Sequence, residues 1–170
     1  MTIHSIREKI FQKRSENPNL DHLLSLFGNE IMAAFINGHL IIEALLVQFI
    51  EHKIGYDEKT SKWNFPNKVK KCIEFEYFDE NIEAFLLMIN DIRNNYAHNL
   101  GYKLTFDELF LLVKNAGQAG IDFSDETIYL NKELSKEWYG EYGIIQEIFQ
   151  NTAMDLSFKM KSHGGEFTFS

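Results

Sequence analysis

An arginine, a histidine and several amides crowd into the segment Asp91-Ile92-Arg93-Asn94-Asn95-Tyr96-Ala97-His98-Asn99. Arg93 can brace a phosphate through a bidentate fork, and a histidine such as His98 is the side-chain type suited to moving a proton. Together they suffice for metal-free cleavage of RNA through its own 2′-hydroxyl. The histidine acts as base or acid, and the arginine stabilises charge on the pentacoordinate phosphorus. Spacing sets a condition on this chemistry. On an ideal helix Asn94 and His98 share a face as an i, i+4 pair, whereas Arg93 and His98 point about 140° apart. They converge only if the helix ends or loosens there, for which Gly101 offers a stop, or if a second chain completes the site. The same residues also have a purely structural reading, in which Arg93 pairs with a local acid such as Asp91 and His98 is a C-terminal cation favoured by the helix dipole.

Other residues are candidates for supporting roles. His39 and Glu43 are an i, i+4 pair of the spacing that places two ligands on one metal, but no third ligand stands at a recognisable spacing, so no metal and no cofactor is expected. His39 and Glu43 hydrogen-bond each other, or Glu43, isolated in an apolar stretch, meets another partner; Arg93 is the expected one. Between Lys53 and Lys71, six lysines face two acids, a local charge of +4, interleaved with Tyr56, Trp63 and Phe65. Lys62, Trp63, Lys68, Lys70 and Lys71 are the candidates there for gripping phosphate and stacking on bases. The alternative is an ordinary solvated face. No glycine-rich phosphate loop and no Ser or Cys nucleophile motif is present, and Phe85-Leu86-Leu87-Met88-Ile89 reads as core.

These residues must be positioned by helices. The chain has 170 residues, 45% hydrophobic with 15 Phe but only 10 Gly and 2 Pro, which excludes a disordered or low-complexity polypeptide and points to one compact domain. Net charge is −8, which argues against coating nucleic acid through long-range attraction and leaves any phosphate affinity to a local patch. A single cysteine, Cys72, excludes an internal disulfide framework. A charged N-terminus and the lack of a run of roughly 18 apolar residues lead us to expect a cytoplasmic chain with no membrane partner.

Periodicity assigns helices to residues 3–15, ended by Asn17-Pro18-Asn19, and to about 20–54, with Gly28 and Gly38 as candidate bends. Residues 55–65 read as a loop. Pro66 suits the first turn of a short helix through about Phe75, and Asp79 caps a long helix to about Asn99. Thr105-Phe106-Asp107-Glu108 has the form of a capping box opening a helix to about Ala116. Residues 117–129 are the least regular, with room for a short hairpin, and a last helix is expected over about 142–160. The expected domain spans 1–161, with 162–170 as a tail.

Arg93-Asn94 followed by three residues and His98 resembles the Arg, four to six residues, His signature of the HEPN superfamily, including its frequent Asn directly after the Arg. The similarity starts at His39-Leu40-Ile41-Ile42-Glu43-Ala44-Leu45, like a core helix with an embedded acid. It runs through Asn67-Lys68-Val69 and the Arg93 to His98 motif to Leu104-Thr105-Phe106-Asp107, the last like the mannitol-repressor-type branch. About half the chain is covered. The resemblance implies an all-α, HEPN-type antiparallel helical bundle that forms a homodimer with the two motifs facing each other. It further implies a metal-independent endoribonuclease acting on RNA as a toxin or phage-defence effector, with Arg93 and His98 catalytic, Asn94 supporting them, and an antitoxin or regulatory protein as partner. Where some such toxins carry a Tyr two residues after the His, this chain has Leu100. The alternatives are a non-catalytic, mannitol-repressor-like regulator that binds protein, or a domain that binds nucleotide without cleaving it.

Overall fold

The computed structural model describes residues 20–168, and among them it is helical throughout, with no strand. The expected helix over 3–15 lies outside these residues. The apolar run that follows is divided: α1 (Leu20–Ser25) and a 3-10 turn (Leu26–Gly28) precede α2 (Glu30–Ile54). The break falls where Asn29 leaves helical backbone and accepts the Met32 N–H at 2.9 Å, an N-cap that starts a new helix. Asp57 caps a single extra turn, α3 (Glu58–Ser61), within the expected loop.

The next three helices follow their caps. Asn64 opens α4 (Phe65–Glu74), with Pro66 in its first turn. Asp79 opens α5 (Glu80–His98) by accepting the Asn81 and Ile82 N–H groups, both at 3.0 Å. Thr105 and Glu108 form the reciprocal capping box of α6 (Phe106–Gln118), at 2.8 Å and 3.3 Å. In place of a hairpin, residues 119–131 hold turns and α7 (Thr127–Leu130), because Asp125 takes the Thr127 N–H and the Tyr139 hydroxyl and folds the chain locally. The last helix, α8 (Lys132–Ser162), begins ten residues before the expected Tyr142, at the Asn131 cap, and bends at Gly140 (φ 61°, ψ −171°). After α8 the chain returns to α2, where Phe167 meets Phe49 edge to face and Thr168 exchanges two 2.9 Å hydrogen bonds with Gln48.

α2 is the spine of the bundle, packed against α4, α5 and α8, while α6 fills the space between α5 and α8. Its length and mean hydropathy, 1.7 over its most apolar window, would also suit a membrane span. Here Phe35, Ile42, Leu46, Phe49 and Ile50 are instead buried with Phe85, Leu86, Ile89 and Ile92 of α5 and Ile144, Ile148 and Phe149 of α8. Leu40 and Ile41, on the other side of α2, remain about half exposed, so one apolar strip of the helix is uncovered.

Gly38 is a contact point and not a bend, since α2 runs through it unbroken. A methyl group there would lie 2.2 Å from the Phe149 ring, which is itself buried and packed edge to face on Phe35. Helix propensity alone favours Gly38→Ala by up to about 1 kcal/mol, but overpacking typically costs about 1–3 kcal/mol and this overlap is severe. We expect a net loss of about 1–2 kcal/mol, seen as a lower urea midpoint; a variant more stable than the parent would show that α2 and α8 are not held this closely.

Candidate functional site

The Arg93 to His98 segment is sorted by which positions the core takes. Ile92, Asn95 and Tyr96 turn inward: Ile92 is fully buried, Tyr96 packs on Phe35 and Tyr102 at ring distances of 6.0 and 5.0 Å, and Asn95 accepts the Asn99 amide at 3.0 Å. With those positions fixed, Arg93 and Asn94 are left half-buried and Ala97 and His98 exposed. α5 keeps its helical backbone through His98 and ends only at Asn99, with Gly101 at φ 86° reversing the chain. Loosening therefore does not bring Arg93 and His98 together, and within one chain they diverge as on an ideal helix.

Arg93 faces a polar cleft of about 310 Å³ between α2, the start of α4 and α5, lined with Asn94 by His39, Glu43, Asn64, Phe65, Pro66 and Asn90. His98 is not among the lining residues. The Arg93 guanidinium donates to the Asn94 side-chain oxygen at 3.2 Å, and among the described residues no carboxylate forms an ion pair with it.

The expected pairing of Glu43 with Arg93 is corrected. Lys68 takes the carboxylate, its Nζ lying 2.6 Å from Glu43 Oε1 and donating also to the Ser61 carbonyl at 3.0 Å. Lys68 is only 1% exposed, so its long side chain reaches through the core from α4 to α2, and the ion pair satisfies a buried ammonium. Glu43 itself is half-buried, its side chain 27% exposed, and not a core acid.

Lys68 is accordingly removed from the candidate RNA-binding residues: its charge is spent inside the bundle. The others remain at the surface to different degrees. Lys62 and Lys70 are exposed, while Trp63 is half-buried against the core. Lys71 is committed to Glu74 at 2.6 Å, with its ammonium 5.4 Å above the Phe75 ring. Trp63, Lys70 and Lys71 do come together, with Asn67 and Glu74, around a shallow polar groove of about 290 Å³ on α4.

His39 is the residue whose role the spacing did not reveal. The i, i+4 spacing leaves a hydrogen bond with Glu43 as one expectation, but the two groups are 3.9 Å apart, too far for one. Both ring nitrogens are buried without a hydrogen-bond partner. Burial pushes the imidazole pKa down, Arg93 and Lys68 add to the effect, and Glu43 and Asn90 oppose it only in part, so the ring is neutral near pH 7. The ring stacks on Phe65 at 4.5 Å, which fixes its plane at the floor of the cleft. Asn90, Arg93 and Asn94 share one face of α5 at i, i+3 and i+4, and His39 and Glu43 share one face of α2; that paired spacing was the available signal.

A different surface adjoins the end of α5. Leu26, Phe27, Met32, Tyr96, Leu100 and Tyr102 line an apolar groove of about 260 Å³, in which Phe27 is almost wholly exposed. No protein-family model, no curated protein and no solved structure matches this chain.

Proposed function

We propose that this protein is a metal-independent endoribonuclease of the HEPN type, working as a homodimer and serving as a toxin or phage-defence effector. The observation that carries the reading is the outward presentation of Arg93, Asn94 and His98 at the end of α5, with Arg93 opening onto a polar cleft and no described acid neutralising it. Because the helix stays regular between them, one active site takes its arginine from one chain and its histidine from the other. The half-exposed Leu40 and Ile41 of α2, beside the cleft residue His39, and the small exposed Ala97 supply apolar surface for a second copy to cover.

In the reaction His98 removes the proton of a ribose 2′-hydroxyl. The oxygen attacks the adjacent phosphorus, the bond to the 5′-oxygen breaks, and that oxygen takes a proton from solvent water, so that one His98 serves each site. Arg93 stabilises the extra charge on the phosphoryl oxygens. The Lys62, Trp63, Lys70 and Lys71 surface extends this site along α4 and gives the RNA backbone a local grip that the net charge of −8 does not supply. Cleavage should persist in EDTA and leave 2′,3′-cyclic phosphate ends, read by labelling and mass spectrometry of the fragments. Activity lost in chelator and restored by a divalent cation would refute the mechanism.

A second reading is favoured by the apolar groove beside α5. An exposed Phe27 and Leu100 around a cavity suit a regulator that captures a protein partner, with the Arg93 cleft unused for chemistry. Growth inhibition that survives loss of His98 would support it.

A further inference from the structure

The groove at the end of α5 is lined like a core but lies open. Phe27 is 93% exposed and Leu100 61%, and they line it with Met32, Tyr96 and Tyr102. Leu20 and Leu24, also exposed, precede Phe27 at helical spacing, so the uncovered apolar surface runs the length of α1. Contiguous surface of this kind marks a place that another segment covers.

The surroundings are acidic. Asp21 on α1 and Glu30 in the first turn of α2 are exposed. Exposed Glu141 of α8 lies close enough to Tyr96 to add, after burial and Glu108, to the upward shift of its hydroxyl pKa. Against these three acids stands Lys103, exposed beside Tyr102.

A segment of the same chain has the complementary pattern and the reach. Residues 3–15 lie outside the described part of the structure, and their sequence supplies the match. On a helix Ile3, Ile6 and Ile10 fall within about 60° of one another, flanked by Arg7 and Arg14 on one side and by Lys13 on the other. Arg7, Lys9, Lys13 and Arg14 stand against Glu8, so the segment is cationic where the groove is acidic. The described chain starts at Leu20, and α1 with its 3-10 turn places Phe27 within about 15 Å of it. Residues 16–19 span up to about 14 Å, which lets a helix of about 20 Å double back onto the groove.

We propose that residues 3–15 dock on this groove as an amphipathic helix of the same chain, with Ile3, Ile6 and Ile10 covering Phe27, Met32 and Leu100. Arg7, Lys13 and Arg14 are then set against Asp21, Glu30 and Glu141. Because Asn99 and Leu100 line the groove, the docked helix lies beside the exposed His98 and brings cations to that end of the domain. A separate protein binding there has to displace it. The docking does not depend on whether RNA is cleaved.

The test is paramagnetic broadening in the full-length protein. Cys72 is fully buried, so a nitroxide attaches to the cysteine introduced by Ser5→Cys, on the polar side of the segment. The Met32 and Leu100 methyl resonances should broaden, while those of Ile54, about 33 Å along α2 from Met32, should not. Ile6→Lys and Phe27→Lys should each weaken docking by at least about tenfold and abolish the broadening, since each removes a large apolar contact and adds a charge. Phe27 is too exposed for its loss to unfold the bundle; if Ile6→Lys misfolds, Phe27→Lys and the wild-type spectrum decide. Sharp Met32 and Leu100 signals in the labelled parent would overturn the proposal and leave the groove to a separate partner. Broadening unchanged in a folded Phe27→Lys would overturn it as well. So would broadening seen only when the nitroxide is carried by a second, NMR-silent copy, which assigns the groove to another chain's segment.

Discussion

His98→Ala should leave a folded dimer whose RNA cleavage is about 10²–10⁴-fold slower than that of the parent, the usual cost of deleting a general acid or base. The structure makes this variant clean. His98 is exposed on the last residue of α5, and the end of that helix is held by other groups: Tyr96 against Phe35 and Tyr102, and Asn95 with Asn99. Only the favourable contact of an imidazolium with the helix C-terminus is lost, up to about 1 kcal/mol at low salt. Cleavage of a labelled RNA and a thermal melt on the same sample separate the two effects. A folded His98→Ala with undiminished cleavage would remove the histidine from the chemistry.

The second large effect is on stability, and it contrasts two residues that the sequence would have paired. Glu43→Ala strands the Lys68 ammonium, 1% exposed, with only the Ser61 carbonyl to receive it. Breaking a fully buried pair costs about 3–5 kcal/mol; Glu43 is partly solvated, so we expect about 2–3 kcal/mol. Arg93→Ala removes one side-chain hydrogen bond to Asn94 at the surface of a cleft and should cost under about 1 kcal/mol. Urea unfolding of both variants reads the difference. Had Glu43 and Arg93 been partners, the two losses would be similar; as the structure stands, Arg93→Ala is stable enough to report on catalysis.

The parts of the fold that the sequence made legible are those fixed by local chemistry. Asp79 and the Thr105/Glu108 box satisfy backbone groups within three residues of themselves, and Pro66 sits in a first turn where its missing N–H costs nothing, so their helices begin where the residues say. Gly38 shows the opposite case. Its meaning lies in a phenyl ring 111 positions away, and nothing within α2 distinguishes a bend from a close approach. The first ten residues of α8 and the turn at Asp125 were hidden for a related reason: the Asn131 cap and the Ser135 bond to the Ile128 carbonyl hold them, not an apolar stripe. At the candidate site, the helix and the outward sense of Arg93, Asn94 and His98 follow from Ile92, Asn95 and Tyr96 at helical spacing. That Lys68 and not Arg93 answers Glu43 depends on how α4 crosses α2, which composition does not encode; a lysine counted with a surface run was a core residue.

The central claim is that each active site draws Arg93 from one chain and His98 from the other, and mixing two inactive variants tests it most directly. In a heterodimer of Arg93→Ala with His98→Ala, one composite site has lost both groups and the other has kept both. Half the dimers after random exchange are heterodimers with one intact site of two, so an equimolar mixture should recover about a quarter of the parent activity, given a two-fold symmetric pair. Each variant alone should be inactive. A mixture that stays as inactive as its components, with heterodimers demonstrated by native mass spectrometry, would contradict the shared site.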